Sequence, residues 1–331
     1  KKGDAEYREV EADTKLIENR LLENDPLCHH YTAVMRDLEP DTTYVYRVGH
    51  PDKPIWSEES EFTTAPDKPK PFTFVTFGDT HNRDIWGEMV KVIEDRHPDI
   101  SFFTIAGDLV DTGQYRDDWD RFFHCAGHLG TRIPLVPTIG NHEVIDGMGV
   151  EMYVDQFALP ENGPKTVQCE RAFSIEYSNL KFVSLDSTLP VLDQADWLEE
   201  QVEDSDADWK FTMFHFPPYN YEDPYPEIRN LWGYIFDKHH VDISLEGHTH
   251  YYMRSHPMFR DRPRDKPEQG TIHVISIPIE NRPREIPPNN YAAVQFSGIP
   301  VYQYFEIDGK NLSYKVYDID GNVLDEFDIV K

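Results

Sequence analysis

Five short motifs bring carboxylate, amide and imidazole side chains to points where predicted strands end. In chain order they are Gly78-Asp79-Thr80-His81, Gly107-Asp108, Gly140-Asn141-His142-Glu143, His215-Phe216-Pro217-Pro218 and Gly247-His248-Thr249-His250. Carboxylate and imidazole groups are ligands of metals such as zinc, manganese and iron. The motifs contain no cysteine, which argues against a structural zinc site. The five motifs contain more potential ligands than one open catalytic ion can use. They therefore predict two ions that share a bridging group.

Each motif alone has an ordinary structural explanation. A Gly-Asp pair after a strand is often a turn in which the aspartate caps a helix, and Asn141 alone would more often be a turn residue. Structure alone does not explain all five motifs in this order, each after a strand. The glycines that precede ligands permit tight turns and leave room for a metal and a substrate oxygen.

The elements that would position these motifs are apolar strands alternating with amphipathic helices, the pattern of an α/β domain. Predicted strands are Phe72–Phe77, Ile100–Ile105, Leu135–Ile139, Phe173–Tyr177, Lys181–Leu185, Phe211–Phe214 and Ile243–Leu245. Predicted helices are Ile85–Arg96, Asp117–Leu129, Gln194–Val202 and Glu227–Lys238. From Gly270 the pattern returns to strands, and it closes with a hairpin of Tyr314–Tyr317 and Val323–Ile329. Because ligand sites of open α/β sheets lie beyond the carboxyl ends of strands, we expect the motifs to converge there.

The first part of the chain, residues 1–66, is predicted to be a β domain with the strands Tyr7–Val10, Tyr31–Val34, Tyr44–Val48 and Ser60–Thr63. Tyr44 follows a turn, as in the tyrosine corner of β-sandwiches, where the hydroxyl bonds back to the backbone; an ordinary hairpin is the alternative. A fibronectin III-like sandwich needs about seven strands, so we predict a partial one whose leading strands are missing. A proline-rich linker, residues 67–71, would separate it from a second domain, residues 72–331.

The amino-acid composition restricts the classes of partner that the chain is expected to bind. Lys and Arg total 32 against 61 Asp and Glu, a formal charge of -29. Binding along a nucleic-acid backbone needs clustered basic residues and is not expected, whereas a small phosphate ester remains compatible because a metal pair reverses the local field. No apolar run approaches the ~18 residues of a membrane span.

The cysteines and the first residues bear on how the chain is processed. The three cysteines, Cys28, Cys125 and Cys169, are far apart in the sequence. They could form one disulfide or remain free thiols, and the sequence does not decide between these alternatives. The chain begins Lys1-Lys2-Gly3, and we expect a fragment or a processed form.

The order of the five motifs resembles that of the calcineurin-like metallophosphoesterases. The N-terminal part narrows the resemblance to the purple acid phosphatases, because Leu38–Tyr44, Tyr46–Gly49, Trp56-Ser57 and Phe62–Pro66 are similar to their N-terminal domain. Gly247–Arg254 also resembles their GHxHxYxR segment. The resemblance implies an α/β (α+β sandwich) catalytic domain, with two β-sheets face to face flanked by helices, after a partial fibronectin III-like β-sandwich.

Carried over by position, the resemblance implies seven metal ligands. Asp79, His81 and His250 would hold the first metal. Asn141, His215 and His248 would hold the second metal, and Asp108 would bridge the two. The ions would be two divalent or trivalent metals, and iron, manganese and zinc all suit such ligands.

Two positions depart from the purple enzymes, which have a tyrosine three residues after the bridging aspartate that gives their colour by binding ferric iron. Here that position is Asp111, which predicts no tyrosinate ligand and no purple colour. Plant-type enzymes also carry a histidine pair shortly after the ligand that matches His215. Residues 219–224 contain no histidine, so acid catalysis by that pair and a low pH optimum do not carry over to this chain.

The resemblance implies hydrolysis of phosphate monoesters by water activated between two metals, with Asp108 and His142 as catalytic residues. His142 would polarise the phosphate or protonate the leaving group, or alternatively brace the metal loop. Glu143 would orient its neighbours. Candidates for substrate contacts are Tyr219, Tyr221, Tyr252 and Arg254, although Arg254 could equally pair with an acidic residue.

Other functions stay open. A phosphodiesterase would use the same site, and a metal-binding scaffold or adhesion module with lapsed activity would belong to a different class. The complete ligand set argues against the scaffold, because a lapsed site should have lost ligands. Purple-type phosphatases with this N-terminal domain are usually exported, so the resemblance implies an extracytoplasmic or secreted protein.

Overall fold

The computed structural model describes residues 1–4, 6–18, 21–50, 52–145, 149–222, 224–279 and 282–331. Asp223, in the segment compared above with the histidine pair of the plant enzymes, lies outside these ranges. Among the helices in these ranges, none is both long and apolar enough to cross a membrane.

The N-terminal part is rich in short strands, as predicted. They are β1 (Asp13–Ile17), β2 (Cys28–Thr32), β3 (Thr43–Tyr46), β4 (Gly49–His50), β5 (Ile55–Trp56) and β6 (Ser60–Thr63). They pair antiparallel as β1 with β2, β3 with β6 and β4 with β5. The strand predicted at Tyr7–Val10 is wrong. Tyr7 instead donates a hydrogen bond to Glu59, and its ring lies 4.6 Å from the Arg47 guanidinium carbon.

Tyr44 makes the backbone contact expected of a tyrosine corner, since the Glu39 N–H donates to its hydroxyl at 2.8 Å. The β1–β2 hairpin, in contrast, packs on the residues beyond 72. Ile17 is buried in an apolar core shared with those residues, and Lys15 pairs with Asp155. The domain division at residues 66–72 stays a prediction.

Strands and helices alternate after residue 72. They are β7 (Phe72–Phe77), α1 (Asp84–Arg96), β8 (Phe102–Ile105), α2 (Arg116–Ala126), α3 (Leu129–Arg132), β9 (Leu135–Pro137), α4 (Glu151–Gln156), β10 (Phe173–Tyr177), β11 (Leu180–Ser184), α5 (Leu192–Glu203), β12 (Trp209–Met213), α6 (Pro226–His239) and β13 (Ile243–Glu246). The helix predicted over 117–129 is interrupted, because Gly127, with φ of 51°, ends α2.

The remainder consists mainly of strands. They are β14 (Tyr252–Ser255), β15 (Met258–Phe259), β16 (Arg262–Pro263), β17 (Ile272–Ile275), β18 (Ala292–Phe296), β19 (Val301–Asp308), β20 (Asn311–Asp318) and β21 (Val323–Val330), with a 3-10 turn at Pro267–Gln269. The predicted closing hairpin is present as β20 and β21, which pair antiparallel.

Two sheets dominate the described part of the chain. One has the strand order β21-β20-β19-β7-β8-β9, and the other has the order β10-β11-β12-β13-β17-β14-β18. One apolar core contains residues of both sheets, such as Phe74 and Phe305 from the first and Phe211 and Tyr252 from the second. The predicted fold, two sheets face to face with helices outside, is therefore confirmed.

Strand β7 carries the first metal motif and illustrates how the layers form. Phe72 and Phe74 point into the core between the sheets, whereas Val75 and Phe77 point to the outer core that contains α1 and α2. Such alternation follows from the two-residue period of a strand. On its edges, β7 pairs in parallel with β8 and antiparallel with β19.

The three cysteines are free thiols. Cys125 is buried, Cys28 is half-buried and Cys169 is exposed. Of the two alternatives left open by the sequence, the structure contains free thiols rather than a disulfide.

Candidate metal centre

The five motifs converge at the carboxyl ends of strands from both sheets. Asp79 and His81 follow β7, Asp108 follows β8, Asn141 and His142 follow β9, His215 follows β12, and His248 and His250 follow β13. The edge where these strands end is the place where ligands bind in α/β sheets. All seven predicted ligands therefore lie in one region between the two sheets.

The first cluster consists of Asp79, His81 and His250, whose ligand atoms all lie within 4.8 Å of one another. His81 Nε2 is 3.2 Å from His250 Nε2, and His250 Nε2 is 3.1 Å from Asp79 Oδ2. Asp79 Oδ2 is buried and accepts no hydrogen bond. A buried carboxylate oxygen without a hydrogen bond, facing two imidazole nitrogens, fits a cation at this position.

The second cluster consists of Asp108, His215 and His248, whose ligand atoms also lie within 4.8 Å of one another. His215 Nε2 is 3.1 Å from Asp108 Oδ2 and 3.1 Å from Asn141 Oδ1. An amide oxygen thus joins a carboxylate and two imidazoles, a donor set that suits the same metals.

Asp108 lies between the two clusters. Its Oδ2 is 3.1 Å from His215 Nε2 and 3.9 Å from His81 Nε2. Its Oδ1 accepts a hydrogen bond of 2.9 Å from the backbone N–H of His142. One buried carboxylate therefore faces imidazoles of both clusters.

The backbone at these residues is unusual. His81, Asp108, His248 and His250 have φ of 45°, 51°, 73° and 42°, in the left-handed region that side chains rarely adopt. Such conformations cluster at functional sites, where the surrounding structure holds them. The sequence pattern alone does not predict these backbone conformations.

Two glycines of the motifs lie so close to ligand side chains that a larger residue would not fit. A Cβ at Gly247 would lie 2.3 Å from Asp79 Oδ1, and one at Gly140 would lie 2.2 Å from Asp108 Oδ1. These contacts support the sequence argument that the glycines leave room for the ligands.

Glu143 holds the loop that carries Asp108. Its buried carboxylate accepts four backbone hydrogen bonds, from the N–H groups of Asp108 at 3.0 Å, Leu109 at 2.8 Å, Val110 at 3.3 Å and Gly140 at 2.7 Å. Burial and the nearby charge of Asp108 raise the pKa of Glu143 to about 7. Because it is fully occupied by the backbone, Glu143 has the orienting position predicted from the sequence rather than that of a base.

His142 and Asp111 lie beside the first cluster. His142 Nδ1 is 2.6 Å from the Asp111 carbonyl oxygen, and the His142 side chain is partly exposed. Asp111 Oδ1 lies 3.2 Å from His81 Nδ1 and accepts a hydrogen bond of 2.9 Å from Arg83. Asp111 therefore contacts the nitrogen of His81 that faces away from Asp79 and His250.

The electrostatics of the centre favour a cation. Burial lowers the pKa of His215, but the Asp108 and Asp79 carboxylates outweigh it and raise that pKa to about 10. Burial raises the pKa of Asp79, but His215 and His250 hold it below its ordinary value. Two buried carboxylates thus draw positive charge to their neighbours, and a metal ion would replace the protons that they attract.

Three of the residues predicted to contact substrate have other partners in the structure, which therefore gives no support to a substrate role for them. Tyr252 is fully buried, and its hydroxyl donates to Asp325 at 2.7 Å. Arg254 forms a two-point ion pair with the same carboxylate, at 2.7 and 2.9 Å. Tyr219 donates to Asp261 at 2.8 Å and lines a small separate cleft, without any of the seven predicted ligands.

Tyr252 and Arg254 instead join the two sheets, because Asp325 lies on β21 and they lie on β14. We expect Asp325→Asn to lower the free energy of unfolding by about 3 kcal/mol, because it leaves a largely buried guanidinium without its counter-charge. Urea unfolding would measure this. Asp328→Asn, an exposed change on the same strand, is the matched control and should have little effect. Equal losses in both variants would contradict the role of the pair.

Comparison with known proteins gives two family matches along the chain. Residues 72–252 match the model of the calcineurin-like phosphoesterases, and residues 2–64 match that of the purple acid phosphatase N-terminal domain. The chain is 26% identical to purple acid phosphatase 23 of Arabidopsis thaliana over 278 residues, which cover 70% of this chain and 58% of that protein. It is 24% identical to probable inactive purple acid phosphatase 1 of the same plant over 308 residues, covering 74% of this chain and 48% of that protein.

Among solved structures, the purple acid phosphatase PPD1 from yellow lupin seeds superposes with a TM-score of 0.84 at 20% identity. The match covers 97% of this chain and 66% of the lupin chain. At this identity the likeness concerns the fold. The chain spans about half the length of the curated relatives that it matches.

Proposed function

The chain belongs to the calcineurin-like phosphoesterase family and carries a purple acid phosphatase N-terminal domain, and from this premise we propose that it hydrolyses phosphate monoesters at a site for two metal ions. The observation that carries the proposal is the position of Asp108, whose buried carboxylate faces imidazoles of two separate ligand clusters. A group placed in this way can serve two cations at once.

In the proposed assignment, Asp79, His81 and His250 bind one ion. Asn141, His215 and His248 bind the other, and Asp108 binds both. The nitrogen and oxygen donors suit iron, manganese or zinc. When bound, two such ions would supply Lewis-acid stabilisation of the phosphate and lower the pKa of a water molecule.

His142 is the proposed catalytic side chain that is not a ligand. Its Nδ1 is 2.6 Å from the Asp111 carbonyl oxygen, which fixes the ring with its Nε2 4.0 Å from Asp108 Oδ2. Its partial exposure leaves Nε2 within reach of a substrate. From there the ring would donate a hydrogen bond to a phosphoryl oxygen or a proton to the leaving group.

The substrate would be a small phosphate ester. With a net charge of -29 the surface repels anions, so the phosphate would be attracted locally, by the cations. The same charge disfavours binding along a nucleic-acid backbone. Export from the cytoplasm is proposed on the likeness to the purple acid phosphatases.

We expect the purified protein, supplied with manganese or zinc, to hydrolyse p-nitrophenyl phosphate and to lose this activity with a chelator. Release of nitrophenolate from this monoester and from bis-p-nitrophenyl phosphate measures both activities in one assay. Faster turnover of the diester would favour the phosphodiesterase.

The alternative from a non-enzymatic class is a metal-binding scaffold with lapsed activity. A relative named as a probable inactive purple acid phosphatase is consistent with this alternative. It predicts turnover of neither ester at saturating metal, with metal still bound. That outcome would reject the hydrolase and retain the metal site.

A further inference from the structure

One imidazole of the centre, that of His215, is anchored through the ring nitrogen that faces away from its ligand cluster. His215 Nδ1 is 2.8 Å from the Ala106 carbonyl oxygen. Because an acceptor at one nitrogen fixes the proton there, the other nitrogen is left unprotonated for a cation. His215 thereby presents Nε2 to the cluster, 3.1 Å from Asp108 Oδ2.

His248 is anchored in the opposite sense. Its Nε2 lies 3.0 Å from the hydroxyl of Tyr225. Its backbone N–H donates to Asp79 Oδ1 at 2.7 Å, so the residue is fixed at both ends. With Nε2 engaged by a hydroxyl, Nδ1 is the nitrogen left for a cation.

Tyr225 is itself held in place. It directly precedes helix α6, between Pro224 and Pro226. Its ring stacks on Phe216 with centroids 4.6 Å apart and an interplanar angle of 10°. The Phe216 ring in turn packs edge-on against His248 at 4.8 Å. This packing supports the position in which the Tyr225 hydroxyl contacts His248.

We propose that Tyr225 is a positioning residue that fixes His248 as an Nδ1 ligand of the second metal, an inference that rests on the metal site of the proposed function. The neutral imidazole carries its proton on Nε2 and donates it to the Tyr225 oxygen. A carbonyl or carboxylate can only accept a hydrogen bond, whereas a tyrosine hydroxyl can both accept and donate one. Tyr225 comes from outside the five motifs, and it follows the segment where the plant enzymes carry their histidine pair.

The test is Tyr225→Phe, which removes the hydroxyl and keeps the stacking ring. Tyr221→Phe is the matched control, because Tyr221 lies shortly before Tyr225 in the chain and its hydroxyl donates to Glu222 rather than to a predicted ligand. Zinc competition with a chromophoric chelator measures the affinity for each of the two zinc ions. In Tyr225→Phe, we expect one of these affinities to be about 10- to 100-fold weaker than in the parent protein. The other zinc ion, and both zinc ions in Tyr221→Phe, should bind as in the parent protein.

Nitrogen-15 spectra of histidine-labelled, zinc-loaded protein give a second readout, with the His248 signals identified by their loss in His248→Gln. We expect the parent protein to show zinc on Nδ1 and a proton on Nε2, and Tyr225→Phe to shift the Nε2–H signal. Zinc on Nε2 of His248, or unchanged zinc affinity in Tyr225→Phe, would overturn the proposal. Neither readout needs turnover, so a protein without phosphatase activity would still test the role of Tyr225.

Discussion

Asp108→Ala is expected to remove both metals and to lower turnover of p-nitrophenyl phosphate by about 10³-fold or more, beyond the 10²- to 10³-fold that loss of one transition-state hydrogen bond costs. The reason is the position of the carboxylate, 3.1 Å from His215 Nε2 and 3.9 Å from His81 Nε2. Without it, the two ligand clusters lose the negative charge that they share, and two bound cations would repel each other more strongly.

Elemental analysis of the purified variant measures the effect directly. The parent protein should contain about two metals per chain, as the assignment of two ligand clusters requires. Asp95→Ala is the matched control, because Asp95 is an exposed carboxylate on helix α1, and it should retain the parent metal content. Metal content unchanged by Asp108→Ala would reject the bridging role and favour two independent sites or none.

Glu143→Ala should have the second largest effect, on stability as well as on metal binding. Four backbone N–H groups donate to this carboxylate, and each buried donor left without an acceptor costs about 1–3 kcal/mol. We therefore expect a loss of at least about 3 kcal/mol in unfolding free energy, with metal affinity lowered by about 10-fold or more.

Urea unfolding and zinc competition would measure the two losses separately. Glu143→Gln keeps the shape and one acceptor oxygen, so it should lie between the parent and Glu143→Ala. Glu88→Ala, an exposed change on helix α1, should match the parent. If Glu143→Ala were as stable as the parent, water would have to satisfy the four donors, and the orienting role would fail.

The sequence was sufficient for the fold and for the clustering of the ligands. The short apolar run Phe72–Phe77, with Pro71 before it and Gly78 after it, is typical of a buried strand, and it forms β7. Each motif follows such a strand, so convergence of Asp79, Asp108 and His215 followed from sheet geometry alone.

The contacts that depend on long-range packing were not predictable. Tyr252 and Arg254 follow the GHTH motif closely, but β14 directs them to Asp325 on β21, a partner from a distant part of the chain. Tyr225 was missed for the same reason, because nothing local indicates that its hydroxyl reaches His248. Asp111 had a local signal, its place three residues after Asp108, but the sequence alone did not indicate the contact with His81.

The pairing of β7 with β19 has a consequence for how the protein is made. Strand β8, one neighbour of β7, follows it closely in the chain, whereas β19 comes from the far end of the domain. During synthesis the backbone N–H and C=O groups on one edge of β7 therefore stay unpaired until β19 has been translated, and unpaired edges promote aggregation. Contacts of such high sequence separation also fold slowly. A nascent chain would hold Asp79 and His81 on an unfinished sheet, so metal loading would come after translation of the domain.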